Sequence, residues 1–145
     1  MQKYTRAALA AIAISICGCD DGGAHAVAGT ITLAPDRMAK MGASDTLFIL
    51  ARPAGEKGGP PLAVLKMVGM KFPLKYELGQ EDVLMPGKFF TGKVEVQAVL
   101  RRSGIATLPV PGDVRGVHAQ PVEPGAKGVD IALDTPDEGP VKASR

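Results

Sequence analysis

The side chains in this sequence that could do chemistry are few and scattered. Two thiols stand at Cys17 and Cys19, and two imidazoles at His25 and His118. A Cys-x-Cys pair can hold a metal or cycle through a disulfide, but a zinc site needs further ligands and no third Cys or nearby His supplies them. His118 with Asp113 could act as a general base and its orienting carboxylate. No Gly-x-Ser-x-Gly or similar nucleophile motif accompanies them, so the pair has nothing to activate. Asp130 and Asp134 lie four apart, which on an extended strand is ~13 Å, too far for paired acid–base work. Glu81 with Asp82, and Asp137 with Glu138, lack the alternating oxygen ligands of a calcium loop. Residues 55–59 are Gly-rich but lack the Gly-Lys-Ser/Thr of a phosphate-binding loop, and read as a hairpin tip. Met38 and Met41 could ligate copper or haem, yet two Met three apart are the ordinary means of filling a core edge. The expectation is therefore a non-enzyme, with no catalytic residue, no metal site and no cofactor.

The cysteines are better explained by what precedes them. Lys3 and Arg6 make a short basic start, and residues 7–16 are apolar apart from Ser15. That run is too short to span a bilayer as a helix, which takes ~20 residues. It fits the apolar segment of a secretory signal. Ile16-Cys17-Gly18-Cys19 then resembles a bacterial lipobox: an aliphatic residue, a variable one, a small one and Cys. On this reading residues 1–18 are a signal peptide and Cys19 is the lipidated first residue of the mature protein. Cys17 fits less well, because the bulky Ile16 would precede the cut. Acyl chains such as palmitate would supply the anchor, each buried methylene contributing ~0.8 kcal/mol. Residues 19–26, with Gly22 and Gly23, form a short tether, which places the chain on the periplasmic face of a bacterial membrane. Asp20 resembles the signal that retains some proteobacterial lipoproteins in the inner membrane; the outer membrane is the alternative. Removing residues 1–18 takes Lys3 and Arg6 from the 17 basic residues, leaving 15 against 15 acidic ones. A mature protein so close to neutral has no electrostatic footprint for nucleic acid.

The rest of the chain reads as a scaffold. At 145 residues there is room for one domain. Trp is missing and aromatics reach only 4%, so the core must be aliphatic. With 18 Gly and 12 Pro, long helices give way to short strands joined by turns. Residues 45–68 are the organising hairpin: two apolar runs around a Gly- and Pro-rich turn, the first run (46–51) uninterrupted and so expected to be central. Period-2 patterns mark further strands at 27–33, 72–78 and 93–102, a broken strand at 114–122, and a last strand at 125–133. Pro73 cannot donate to a ladder, which puts the 72–78 strand at an edge or turns the Pro nitrogen away from its neighbour. One helical turn is expected at 37–41, between Pro35-Asp36 and Gly42. About seven short antiparallel strands make an all-β, two-sheet sandwich over residues 27–134, followed by a flexible tail at 135–145.

Several segments in order resemble the C-terminal periplasmic domain of the CycH (CcmI) type cytochrome c biogenesis proteins. They are Val27-Ala-Gly-Thr-Ile-Thr-Leu-Ala-Pro, Asp45-Thr-Leu-Phe-Ile-Leu-Ala-Arg, Pro60-Pro-Leu-Ala-Val-Leu-Lys and Phe72-Pro-Leu-Lys-Tyr-Glu-Leu. Leu84-Met-Pro-Gly-Lys, Val94-Glu-Val-Gln-Ala-Val-Leu-Arg-Arg-Ser-Gly and Pro111-Gly-Asp-Val-Arg-Gly continue the series. The resemblance runs from Val27 to about Leu133 and implies an immunoglobulin-like β-sandwich. The family's membrane helices and tetratricopeptide repeats have no counterpart in these 145 residues. What the resemblance implies is a stand-alone lipoprotein that binds protein, an accessory or chaperone-like factor in c-type cytochrome maturation. Its partner would be an apocytochrome c or a maturation-complex component, met at the edge near Pro73 or at the hairpin tip. The alternative is a structural envelope lipoprotein with no cytochrome role.

Overall fold

The computed structural model describes residues 25–137. Eight strands form two sheets: β1 (Val27–Leu33), β2 (Thr46–Pro53), β3 (Ala63–Val68), β4 (Leu74–Leu78), β5 (Val94–Arg101), β6 (Val114–Val117), β7 (Ile131–Leu133) and β8 (Thr135–Pro136). One sheet has the order β4-β1-β7 and the other β3-β2-β5-β6-β8. This is an immunoglobulin-like β-sandwich. A single helical turn, α1 (Pro35–Met38), follows β1, and a 3-10 turn spans Gln80–Asp82. Among the described residues no helix is long and apolar enough to cross a membrane.

The 46–51 run is central, as its unbroken hydrophobicity requires. β2 pairs antiparallel with β3 on one side and with β5 on the other. Its Leu47, Ile49 and Ala51 face the core, where they meet Val94, Val96, Ala98 and Leu100 of β5. From the other sheet come Val27, Ile31 and Leu33 of β1, Tyr76 and Leu78 of β4, and Ile131 and Leu133 of β7. Burying each large aliphatic side chain contributes ~1.5–3 kcal/mol before the entropy of ordering is subtracted. With so few rings, shape is set by small residues. A Cβ on Gly116 would lie 2.1 Å from the Ala132 carbonyl oxygen, and one on Gly29 2.0 Å from that of Val129. Those two positions let β6 and β1 approach the residue 129–132 backbone directly.

Several expectations are corrected. β1 and β7 run parallel, with Ile31 opposite Ile131 and Leu33 opposite Leu133, so the strands are not all antiparallel. Residues 125–130 are not strand, because they run as an irregular crossing that bonds β1 through Ala126 and Val129. The broken strand contracts to β6, and beyond it Val122 makes only an isolated bridge to Val94. The tail is held at its start: Thr135 and Pro136 pair with β6 to add an eighth strand, and Asp137 is fixed by Arg101. The helical turn begins two residues earlier than expected, at Pro35, and of Met38 and Met41 only Met41 packs on the core.

Candidate partner-binding surface

The groups with the capacity for chemistry are held apart and occupied. Cys17 and Cys19 lie outside the described residues. Asp113 and His118 flank β6 on opposite ends, five residues or ~17 Å apart along the strand. His118 donates from Nδ1 to the Asp130 carbonyl at 2.9 Å, not to Asp113. The Asp130 carboxylate accepts from the Thr30 amide, and that of Asp134 from the Thr135 hydroxyl. Glu81 is exposed, while the half-buried Asp82 accepts from the Gly79 amide. Burial raises the Asp82 pKa first, the Gly79 bond opposes that, and the charge of Glu81 adds to it. Among the described residues no group of three or more His, Cys, Asp or Glu could hold a metal ion.

One polar cluster is not legible in the sequence. Asp113 is 1% exposed and accepts from Arg101 Nη1 at 3.2 Å, the Arg102 amide at 2.8 Å and the Val110 amide at 2.9 Å. Arg101, 7% exposed, also binds Asp137 and donates from Nε to the Ala106 carbonyl. Both Asp113 oxygens are engaged, so the cluster ties the 102–112 loop and the last described residue to β5. It is a structural knot.

β4 is one edge of its sheet, as Pro73 indicated, but exposed Lys75 and Glu77 blunt it in the way sheet edges are commonly guarded. β3 is one edge of the other sheet, with the two-residue β8 at its far side. Its first residue is capped by a bridge from Ala63 to Val83, and Leu84 donates to the Leu62 carbonyl. Beyond that bridge, among the described residues, no strand pairs with the outer side of Val64, Leu65, Lys66, Met67 and Val68. This edge is apolar apart from Lys66, and Val68 is 65% exposed. The hairpin tip at 54–61 lies at the opposite end of the hairpin, where Ala54 donates to the Lys93 carbonyl.

The cytochrome c-type biogenesis protein H Ig-like domain model matches residues 27–134, about three quarters of the chain. The chain belongs to that family. No curated protein matches it. Among solved structures, an alternative pilotin from the type II secretion system of Vibrio cholerae is similar at 12% identity and a TM-score of 0.46, covering 74% of this chain and 93% of that one.

In this Ig-like domain the β3 edge continues onto the outward face of the larger sheet. Register places Lys66, Phe48, Val99 and Arg115 in one row and Val64, Leu50, Gln97 and Val117 in the next. Phe48 and Val99 are buried there at 6% and 5%, although they point away from the core. Lys66 carries its ammonium 5.9 Å from the Phe48 ring centroid, a cation–π contact that also covers the ring. Edge and face together form an apolar strip bordered by two basic side chains, all from the hairpin and its neighbours.

Proposed function

We propose that this protein is a non-catalytic envelope lipoprotein that binds protein, an accessory or chaperone-like factor in c-type cytochrome maturation. The observation that carries this reading is the family match across residues 27–134. The partner is an apocytochrome c or a component of the maturation complex. Residues 1–18 serve as signal peptide, Cys19 carries the lipid and residues 19–26 are the tether, holding the domain at the periplasmic face of the membrane. The surface best suited to an extended partner segment is the β3 edge, where a strand can add by main-chain bonds while the exposed Val68 supplies apolar contact.

Two measurements test this. A deletion strain should show reduced haem-stained c-type cytochromes, and mild crosslinking of the wild-type lipoprotein should co-purify a maturation component or apocytochrome. Val68→Lys, on an exposed edge, should change stability by no more than ~0.5 kcal/mol and yet abolish that capture. Unchanged cytochromes in the deletion strain would refute the cytochrome role and leave a general envelope lipoprotein.

A further inference from the structure

The end of the sandwich where the described chain begins carries an unexplained apolar loop. Leu84 is 53% exposed, Met85 39% and Phe89 70%, all within six residues. The loop is not loose. A turn closes it through the Lys88 amide and the Met85 carbonyl, with Gly87 at φ +77. The Gln80 side chain accepts from the Phe90 amide at 2.7 Å and donates to the Lys88 carbonyl at 3.0 Å. Phe90 itself is plugged into the core at 2% exposure. Of two adjacent rings, one is an anchor and the other is held out into solvent by a fixed loop. That arrangement is unfavourable for a protein surrounded only by water, and it calls for an occupant.

The position of the loop identifies one. His25 lines a shallow hollow with Phe90, Thr91 and Gly92, so the chain enters the domain beside this loop. Cys19 is six residues further back, a reach of at most ~20 Å when fully extended. A lipid on Cys19 would therefore bring the bilayer to this end of the domain and no other. The opposite end, with Ile105 and Leu108, is separated from it by the length of β5, roughly 25 Å. Charge does not choose the occupant, since exposed Lys88 and Lys93 are offset by Glu81, Asp82 and Glu123 on the same end. The attraction is apolar.

We propose that Leu84, Met85 and Phe89 seat in the interface of the membrane to which the protein is anchored, fixing the sandwich with this end down. This rests on the anchor at Cys19. Because the chain has no Trp, Phe89→Trp and, as the distal control, Leu108→Trp each introduce a single indole fluorophore at an exposed site. Each full-length variant, processed in cells, is reconstituted in phosphatidylcholine vesicles with brominated acyl chains. The indole of Phe89→Trp should emit at shorter wavelength than free tryptophan in water and be quenched by the bromines, with the same result at high salt. The indole of Leu108→Trp should emit as in water and escape quenching. Acylated Phe89→Trp protein whose emission stays water-like, or Leu108→Trp protein quenched as strongly, overturns the loop's role. An unacylated Cys19 by mass spectrometry refutes the anchor instead.

Discussion

Asp113→Asn isolates the buried knot at the end of the sandwich away from Val27, where β5 finishes and β6 starts. The substitution keeps the size of the side chain but removes its charge and replaces one acceptor oxygen with a donor. In the native domain both carboxylate oxygens are engaged: Oδ1 by the Arg102 amide, Oδ2 by the Val110 amide and the Arg101 guanidinium. The Arg101 and Asp113 side chains are 9% and 0% exposed, so water cannot replace what is lost. Breaking one side of a buried ion pair costs ~3–5 kcal/mol, most of it the penalty of the charge left behind. Asp137 remains on Arg101 and holds the figure near the lower bound, about 3 kcal/mol. Against a total stability of ~5–15 kcal/mol that is a large fraction. For a domain of this size it corresponds to a fall in Tm of ~12 °C. Urea unfolding followed by far-UV circular dichroism measures it directly. A shift of less than ~1 kcal/mol, the ordinary worth of one hydrogen bond, would refute the claim that the knot holds this end together. Repeating the change with Asp137→Ala, singly and doubly, reports the coupling between the two carboxylates through Arg101.

Tyr76→Phe addresses a second buried polar contact, in which the phenol donates to the Val129 carbonyl at 2.7 Å. Burial, and then the charge of Asp130, push the phenol well above its ordinary pKa of 10.0. The folded state therefore holds this proton more tightly than the unfolded one, so the stability it contributes is complete below pH ~10 and erodes as pH rises above that. Denaturant midpoints should show the variant ~1–2 kcal/mol weaker at neutral pH, from the unpaired carbonyl, but less sensitive above pH ~10. Gly116→Ala should drop Tm by more than ~10 °C or prevent folding, a loss of ~3 kcal/mol or more of the kind overpacking produces. The new methyl meets backbone that cannot move aside; melting within a few degrees of wild type would show that the two sheets can part there.

Local pattern revealed the strands whose partners do not matter to their reading. Residues 46–51 are apolar on both faces because one face is core and the other is the Phe48–Val99 strip, and that is visible in composition alone. Val94 to Ala98 alternates because only its inner face is core, and Val99 breaks the pattern where it joins Phe48 in the outer strip. What could not be read is what depends on long-range placement. The parallel pairing of β1 with β7 joins segments about a hundred residues apart and leaves no local mark. Residues 125–130 carry Val129 inward like a strand residue, yet they only cross β1, so period-2 spacing misleads there. Arg101 reads as an exposed charge, since nothing nearby in sequence announces that Asp113 and Asp137 will meet it. The one available signal was Asp113 after Pro111-Gly112, a turn acid positioned to accept from its own loop.

The residues that carry the family resemblance turn out to be the ones that make the scaffold. In Pro111-Gly-Asp-Val-Arg-Gly, Asp113 is the centre of the knot, Val114 is core and Gly116 is where β7 presses against β6. In Phe72-Pro-Leu-Lys-Tyr-Glu-Leu, Tyr76 ties β4 to the Val129 crossing, and in Val27-Ala-Gly, Gly29 makes room for that crossing. Such positions are demanded by packing and hydrogen bonding, so they specify the sandwich whatever it binds. Binding must then come from positions the scaffold leaves free. Val68 on the β3 edge and Leu84, Met85 and Phe89 on the loop at the chain's entry are among the exposed large apolar side chains of the domain. They lie toward opposite ends of one short strand, β3, whose start abuts residues 83–84 and whose finish is Val68. A six-residue strand spans ~20 Å. A sandwich with its loop against a bilayer would thus hold its open edge upright from that bilayer.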